Sequence, residues 1–230
     1  MKKISIAIDG PAAAGKSTIA KKVAKLLHFT YIDTGAMYRV VTYYALTHNI
    51  DPKDEKAVVE SIKDIHIELL PDNKVLCNGQ DVTLAIRSTE VAGNVSYVAS
   101  YKDVRLHLVE LQRKMAESVS VVMDGRDIGT YVLPNADVKI FQVASVETRA
   151  ERRYKENLEK GIQCELKDIE EELRKRDYID SHREFAPLKP ADDSILLDTS
   201  FMTIDEVVEE VLGIIENKVG CLKAEGKSNA

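Results

Sequence analysis

The sequence has little of what marks secreted, membrane-bound or nucleic-acid-binding chains. Its 230 residues include three cysteines, Cys77, Cys164 and Cys221, which form no CxxC pair and no Cys/His metal spacing. An odd, scattered set of this kind is expected to be reduced thiols in a reducing cytoplasmic compartment, not a disulfide framework or a zinc site. No apolar run is long enough to span a bilayer. Lys2-Lys3 precedes Ile4-Ser5-Ile6-Ala7-Ile8, but that stretch stops at Asp9, too short for a signal-peptide core. Lysine and arginine total 32 against 38 acidic residues, a net charge of −6. That balance argues against a broad basic face for nucleic acid. The five histidines, His28, His48, His66, His107 and His182, are scattered and are assigned no catalytic role. There is neither an internal repeat nor a low-complexity linker.

What remains is an ordinary globular composition, 44% hydrophobic and 30% charged, whose hydrophobic pattern alternates between strand and helix. Buried strands are expected at Ile4–Ile8, Phe29–Asp33, Val119–Met123, Val138–Val143 and Ser194–Leu197. Helices are expected after the first strand to about Leu27, then at Gly35–Thr47, Ser88–Ala99, Tyr101–Ser118, Ser145–Lys160 and Glu165–Asp180. Thr203 and Glu206 form a capping box for a final helix. Ile65–Ile86 reads differently: alternating residues, a turn at Pro71-Asp72-Asn73 and a hairpin signal at Asn78-Gly79 mark a small antiparallel insert. Strands alternating with helices imply an α/β fold with a mostly parallel sheet covered on both faces.

Gly10-Pro11-Ala12-Ala13-Ala14-Gly15-Lys16-Ser17 fits G-x-x-x-x-G-K-[ST] and continues into Thr18. The spacing lets successive backbone N–H groups wrap a β-phosphate, with glycine permitting close approach and the next helix presenting its positive end. In that reading Lys16 reaches the β- and γ-phosphates and the Ser17 hydroxyl holds Mg²⁺. The alternative, a glycine turn with a surface lysine, is disfavoured because the loop follows a buried strand and opens a helix. A guanine-reading switch protein would carry N-K-x-D. The partial echo at Asn217-Lys218-Val219-Gly220 lacks the aspartate.

Later arginines suit phosphoryl transfer to a small anionic acceptor. Such an acceptor is already a nucleophile, so the chemistry needs cations more than a base. Arg149, Arg152 and Arg153 share a helix side and are candidates for a lid over the phosphates; a solvated face balanced by Glu147 and Glu151 is the alternative. Arg176, Asp180 and Arg183 lie at i, i+4 and i+7. They suit a phosphorylated sugar, or equally an intrahelical ion-pair ladder. Asp124-Gly125-Arg126-Asp127 follows a buried strand, at the strand end where open parallel sheets bind ligands. Asp124 could hold water around Mg²⁺, Arg126 an acceptor phosphate and Asp127 an amino group; a tight turn with an internal ion pair is the bland reading.

Taken with Asp33-Thr34-Gly35-Ala36-Met37-Tyr38-Arg39, Asp124 to Thr130, Ala136 to Phe141, Arg149-Ala150-Glu151-Arg152-Arg153, Arg176-Asp177 and Arg183 before Ala186-Pro187-Leu188, the chain resembles the bacterial cytidylate kinases from Asp9 to about Asp198. The resemblance implies a P-loop nucleoside-monophosphate-kinase fold with a short helical lid. It implies one kinase unit over 1–220, with a substrate-binding insert at about 36–105 and a lid at about 149–165. The remaining 221–230 are expected to be a disordered tail. Further implications are a cytoplasmic monomer that takes ATP with Mg²⁺ and phosphorylates CMP or dCMP. Thr34, Arg39, Ser96, Arg105, Arg126, Asp127, Arg176, Asp180 and Arg183 would line the CMP site. By the same resemblance Arg39, Arg126 and Arg176 would hold phosphate. Ser96, Arg105 and Asp127 would read cytosine with Arg183 beside them, and Asp180 and Thr34 would touch the sugar. Lys16, Arg126, Arg149, Arg152 and Arg153 are the catalytic candidates. Alternatives are another small P-loop kinase (UMP/CMP, shikimate or dephospho-coenzyme A type) or a non-catalytic nucleotide-binding regulatory module.

Overall fold

The computed structural model describes residues 3–71, 73–159 and 161–220. The expected tail, Cys221 and the central residue of the Pro71-Asp72-Asn73 turn lie outside the described residues. Five strands form one sheet: β1 (Ser5–Asp9), β2 (Thr30–Asp33), β6 (Val121–Gly125), β7 (Val138–Val143) and β8 (Ile195–Asp198), in the order β2-β6-β1-β7-β8, every pair parallel. The central strands β1, β6 and β7 are apolar on both faces and buried nearly throughout, as a parallel sheet between helix layers requires. Side chains alternate across it. Ile6 and Ile8 pack with Ile19, Val23, Val211 and Ile215 of helices α1 (Lys16–Leu27) and α8 (Ile204–Val219). Ala7, Val121 and Met123 face the other way, onto Val109 and Ile128.

A separate apolar cluster is built between the second and sixth strands of the chain. Met37, Val40 and Val41 of α2 (Thr34–Thr47) pack with Val58 of α3 (Glu55–Ser61), Val98 of α4 (Thr89–Val98) and Val104 and Leu108 of α5 (Lys102–Ala116). Against it lies the expected antiparallel unit, β3 (Ile67–Leu69), β4 (Val75–Cys77) and β5 (Gln80–Asp81). Asn78 and Gly79 turn between the last two with φ of 51° and 79°, the paired positive angles that tight hairpins demand. Two charged helices follow β7: α6 (Val146–Glu159) and α7 (Leu166–His182). The capping box of α8 is present, with both Thr203 and Glu206 side chains engaged.

Two elements depart from the sequence expectation. The seven-residue α3 is too short to show a helical period and is announced only by Asp54, whose side chain accepts from the Ala57 N–H. Residues Ile128–Val132 form a single π turn. The buried Asp9 carboxylate holds its start, accepting from the Ile128 and Gly129 N–H groups at 2.8 and 2.7 Å.

The carboxyl ends of β1, β2 and β6 lie side by side, with Asp9 opposite Gly125 and Asp33 opposite Asp124. Helix α5 contributes to both this second cluster and the packing on the sheet, through Leu108 and Val109, and Leu108 is fully buried. Leu108→Ala is expected to lower unfolding free energy by about 2–5 kcal/mol, the cost of a core cavity. Urea denaturation at neutral pH measures it, and a loss below about 1 kcal/mol would show that this cluster adds little to cooperative stability.

Candidate active site

The loop after β1 is held in shape from beneath. Gly10, at φ 151°, passes so close to β7 that a Cβ there would lie 1.9 Å from the Gln142 carbonyl oxygen. Gln142 Nε2 in turn donates to the Ala14 carbonyl at 2.6 Å. Ala13 and Gly15 take left-handed angles, φ 56° and 88°. Gly15 is the N-cap of α1 and offers no side-chain acceptor, so the helix's positive end is open to an anion. Ala13, Ala14, Gly15, Lys16, Ser17 and Thr18 line a cavity of about 710 Å³. The other loop residues named from sequence, Gly10, Pro11 and Ala12, are not part of its lining.

Lys16 is buried and donates from Nζ to the Pro11 carbonyl at 2.7 Å. Burial, then the nearby Arg126, push its ammonium well below the usual lysine range, against the pull of Asp124, Asp9 and Asp180. A phosphate beside it would reverse that balance. Ser17 Oγ donates to Asp124 Oδ2 at 2.8 Å. The second oxygen, Oδ1, accepts from the Tyr31 hydroxyl at 2.6 Å. A hydroxyl and a carboxylate side by side are hard oxygen donors, and Mg²⁺ commonly takes one or two protein oxygens while keeping waters and phosphate oxygens. These residues fit that ion. Burial, then Asp33, raise the Asp124 carboxyl above the usual range, with Lys16 opposing; a cation at this point would lower it.

Tyr31 was not foreseen. In sequence it is one aromatic in a short strand, and only the β2–β6 register, Tyr31 opposite Val122, brings its hydroxyl to Asp124.

The same cavity carries the nine residues expected to contact the acceptor. Thr34, Arg39, Ser96, Arg105, Arg126, Asp127, Arg176, Asp180 and Arg183 all line the cavity. Asp127 forms a buried ion pair with Arg105, and Arg183 Nη2 lies 3.4 Å from its other oxygen. Arg105 is further held by the Ala99 carbonyl at 3.0 Å and packs its guanidinium 5.2 Å from the Tyr38 ring. Thr34 Oγ1 donates to the Asp124 carbonyl oxygen at 2.6 Å. Arg126 Nε donates to Asp180 Oδ2 at 2.8 Å, a bond between β6 and α7. Burial alone would raise the Asp180 carboxyl, but Arg126, Arg183 and Arg176 outweigh it and hold it below the usual range.

Arg39 is pushed down to about 9, by burial first and then by the charge of Arg176, and Arg176 to about 10, by burial first and then by the charge of Arg126. Such crowding of cations around an open space marks a place for an anion. Arg87, also unforeseen, joins them on the lining and pairs with Asp33 at 3.3 Å.

The three arginines expected to act together do not. Arg152 and Arg153 line the cavity. Arg152 donates to the Thr199 carbonyl at 2.6 Å, and Arg153 lies 3.6 Å from Glu156. Arg149 is outside the lining and buried, bonded to the Ala144 and Ala12 carbonyls and to Asp177. Helical spacing groups the three on one side but does not reveal that the first turn of α6 runs beneath the loop.

The Asp180 geometry has a consequence for stability. Its folded pKa lies below the unfolded value, so its contribution is complete above about pH 4 and is lost as pH falls through the folded value. Asp180→Asn is expected to cost roughly 2–3 kcal/mol at pH 7, somewhat less than the ~3–5 of a sealed pair because the cavity admits water. That deficit should shrink as pH falls below about 4. Urea midpoints of both proteins across pH 3–7 measure the difference, and a deficit independent of pH would show that the pair is not electrostatic in origin.

The comparisons with known proteins agree with this geometry. The family model described as "Cytidylate kinase" matches residues 6–217. A cytidylate kinase of Anoxybacillus flavithermus is 52% identical over 221 residues, covering 95% of this chain and 98% of that protein. One from Bacillus thuringiensis is 54% identical over 217 residues, covering 93% and 96%. Among solved structures, a gluconokinase from Sinorhizobium meliloti superposes with a TM-score of 0.50 at 12% identity, covering 94% of each chain, which speaks to the fold alone. With a matching model across nearly its whole length and relatives at more than half identity, this chain belongs to the cytidylate kinase family.

Proposed function

We propose that the chain transfers the γ-phosphoryl group of ATP, bound with Mg²⁺, to CMP or dCMP, giving ADP and CDP or dCDP. The observation that carries the reading is one cavity with two different walls. The phosphate loop forms one, and a cluster of arginines around Asp127 and Asp180 forms the other. Both walls come from a single chain, so the reaction needs no second copy, and we assign a monomer. No helix among the described residues is long and apolar enough to cross a membrane.

In this reading the donor phosphates lie on the open end of α1, with Lys16 against the β- and γ-oxygens. Ser17 and, by way of water, Asp124 would hold Mg²⁺, which when bound would supply neutralising charge to those oxygens. Arg39, Arg126 and Arg176 hold the acceptor phosphate, whose own oxygen is the nucleophile. Catalysis is then positioning and charge stabilisation, with Arg152 and Arg153 adding cation from the α6 side. Asp180 and Thr34 address the sugar. Residues at about 36–105 form the acceptor insert. The lid assigned to about 149–165 moves only beyond its anchored first turn and closes to exclude water.

Base selection follows from Asp127. Its carboxylate, steadied by Arg105 and Arg183, is an acceptor facing the 4-position, with Ser96 alongside. Cytosine presents an amino donor there and uracil a carbonyl, so uracil sets acceptor against acceptor. A site built to bond a polar group rejects the wrong partner strongly.

ADP release from ATP·Mg²⁺ should therefore be strong with CMP or dCMP and weaker by at least roughly 100-fold in kcat/KM with UMP. AMP and shikimate should give little. Lys16→Ala should lower turnover by about 10²–10³-fold or more without changing the melting profile greatly. Turnover confined to another acceptor would leave a small P-loop kinase of different specificity. ATP consumption that no acceptor stimulates would favour a nucleotide-binding regulatory module.

A further inference from the structure

Arg149 and Asp177 meet at the phosphate loop, yet neither touches the cavity. Ala12 has both of its backbone polar groups taken by side chains from two different helices. Its N–H donates to Asp177 Oδ1 at 3.1 Å, and its carbonyl accepts from Arg149 Nη1 at 2.9 Å. The same Nη1 donates to Asp177 Oδ2 at 2.6 Å and closes the ring. Arg149 Nε is tied to the Ala144 carbonyl at 3.0 Å, just beyond β7. The Ala12 methyl packs with Ala150, Ile169 and Leu173, so apolar contact reinforces the polar one.

The next residue, Ala13, is a non-glycine at φ 56°. A left-handed alanine costs about 1–2 kcal/mol and persists only where neighbours over-determine it. A peptide gripped on both sides immediately before it is such a constraint.

Helix α7 reaches both substrates' walls. Asp177 grips the loop, while Arg176 beside it and Asp180, three residues further on, line the acceptor side. Asp180 in turn holds Arg126. Three residues of helix separate the two contacts by about 4.5 Å along the axis. A helix is stiff over that distance, so tightening at the acceptor side is felt at Ala12.

We propose that Arg149 and Asp177 are a positioning pair. They fix the Ala12 peptide, hold the phosphate loop in its binding shape, and couple occupancy of the acceptor side to affinity at the donor side. The proposal rests on the phosphate-loop reading; only its coupling half rests on the identity of the acceptor. It moves Arg149 from a lid cation to a brace.

Calorimetric titration of Mg·ADP, alone and with saturating CMP, tests both halves on the wild type, Asp177→Asn, Arg149→Lys and a packing control, Ile169→Ala. A hydrogen bond to a charged group is worth about 1.5–3 kcal/mol. Asp177→Asn should therefore weaken Mg·ADP by about tenfold or more. CMP binding without nucleotide should stay within about twofold, and the factor by which CMP raises ADP affinity should fall towards one. Ile169→Ala should lower the melting temperature and leave both affinities unchanged. A folded Asp177→Asn protein that binds Mg·ADP as tightly as wild type would overturn the proposal. So would equal losses in Asp177→Asn and Ile169→Ala, which would make the pair a structural staple. Should Asp177→Asn fail to fold at 25 °C, Arg149→Lys decides by the same affinities. Wild type that binds ADP but not CMP would remove the acceptor reading and leave the positioning half to the ADP arm alone. Wild type that binds both without coupling would overturn the coupling half.

Discussion

The parallel pairing of β1 with β6 is the constraint on which the site depends. It sets Asp9 opposite Gly125, so the phosphate loop and the Asp124-Gly125-Arg126-Asp127 stretch leave the sheet at the same edge. Neither segment makes a transfer site alone: one binds phosphates, the other offers a carboxylate and an arginine. Side by side they line one cavity and are joined by the bond from Ser17 Oγ to Asp124 Oδ2. Small residues make the approach possible. Gly125 is one, since a Cβ there would lie within 2.7 Å of both the Ile128 and Thr34 side chains. Asp9 completes the edge by seizing the Ile128 and Gly129 N–H groups, which gives the strand that precedes the phosphate loop a grip on the turn that follows Asp127.

Buried charge is the second theme, and its arrangement reveals purpose. A core that served stability alone would gain nothing from Arg105, Asp127, Arg126, Asp180 and Arg183 at its centre, because desolvation tends to cancel the attraction of buried ion pairs. The cations nevertheless exceed the anions around the acceptor wall, and burial first, then neighbouring cations, push Arg39 and Arg176 down. The surplus is what a dianionic phosphate would neutralise. Two of the buried side-chain atoms without a hydrogen-bond partner, Arg105 Nε and Arg176 Nε, belong to residues that line this cavity. Satisfaction of buried polar groups is the rule in folded proteins, so the two arginine N–H groups on the cavity are donors that an anionic ligand would suit.

How much of this was legible in the sequence depends on whether a feature is local. The phosphate loop is local: glycine at two fixed positions, a lysine and a hydroxyl, between a buried strand and a helix. The parallel strands are legible for the same reason, as short Val/Ile runs between helical stretches, and so is the Asn78-Gly79 hairpin. The residues expected at the acceptor were gathered only through resemblance, since only folding brings Thr34, Ser96 and Arg183 to the lining of one cavity. Tyr31 and Arg87 escaped because nothing in their neighbourhoods distinguishes them; their significance arises from β2 lying beside β6 and from Arg87 meeting Asp33. Arg149 shows the opposite error. Its spacing with Arg152 and Arg153 is a true statement about the helix, but periodicity says which residues share a face and not what that face meets.

The α6–α7 pair illustrates how one local pattern can serve two ends. Arg149 in the first turn of α6 and Asp177 near the end of α7 are pinned to Ala12, whereas Arg152 and Arg153 further along α6 turn to the cavity. In the lid proposed above, this first turn would be the fixed root and the turns beyond it the part that moves. A wholly mobile arm would carry its cations towards the phosphates but could not hold the loop that presents those phosphates. A wholly fixed arm would hold the loop but admit no substrate. Anchoring the root through charge-assisted bonds to backbone, and leaving the charged outer turns of α6 solvated, reconciles the two. The same division explains why the pattern of charge along α6 looks uniform in sequence although its arginines do different work in the fold.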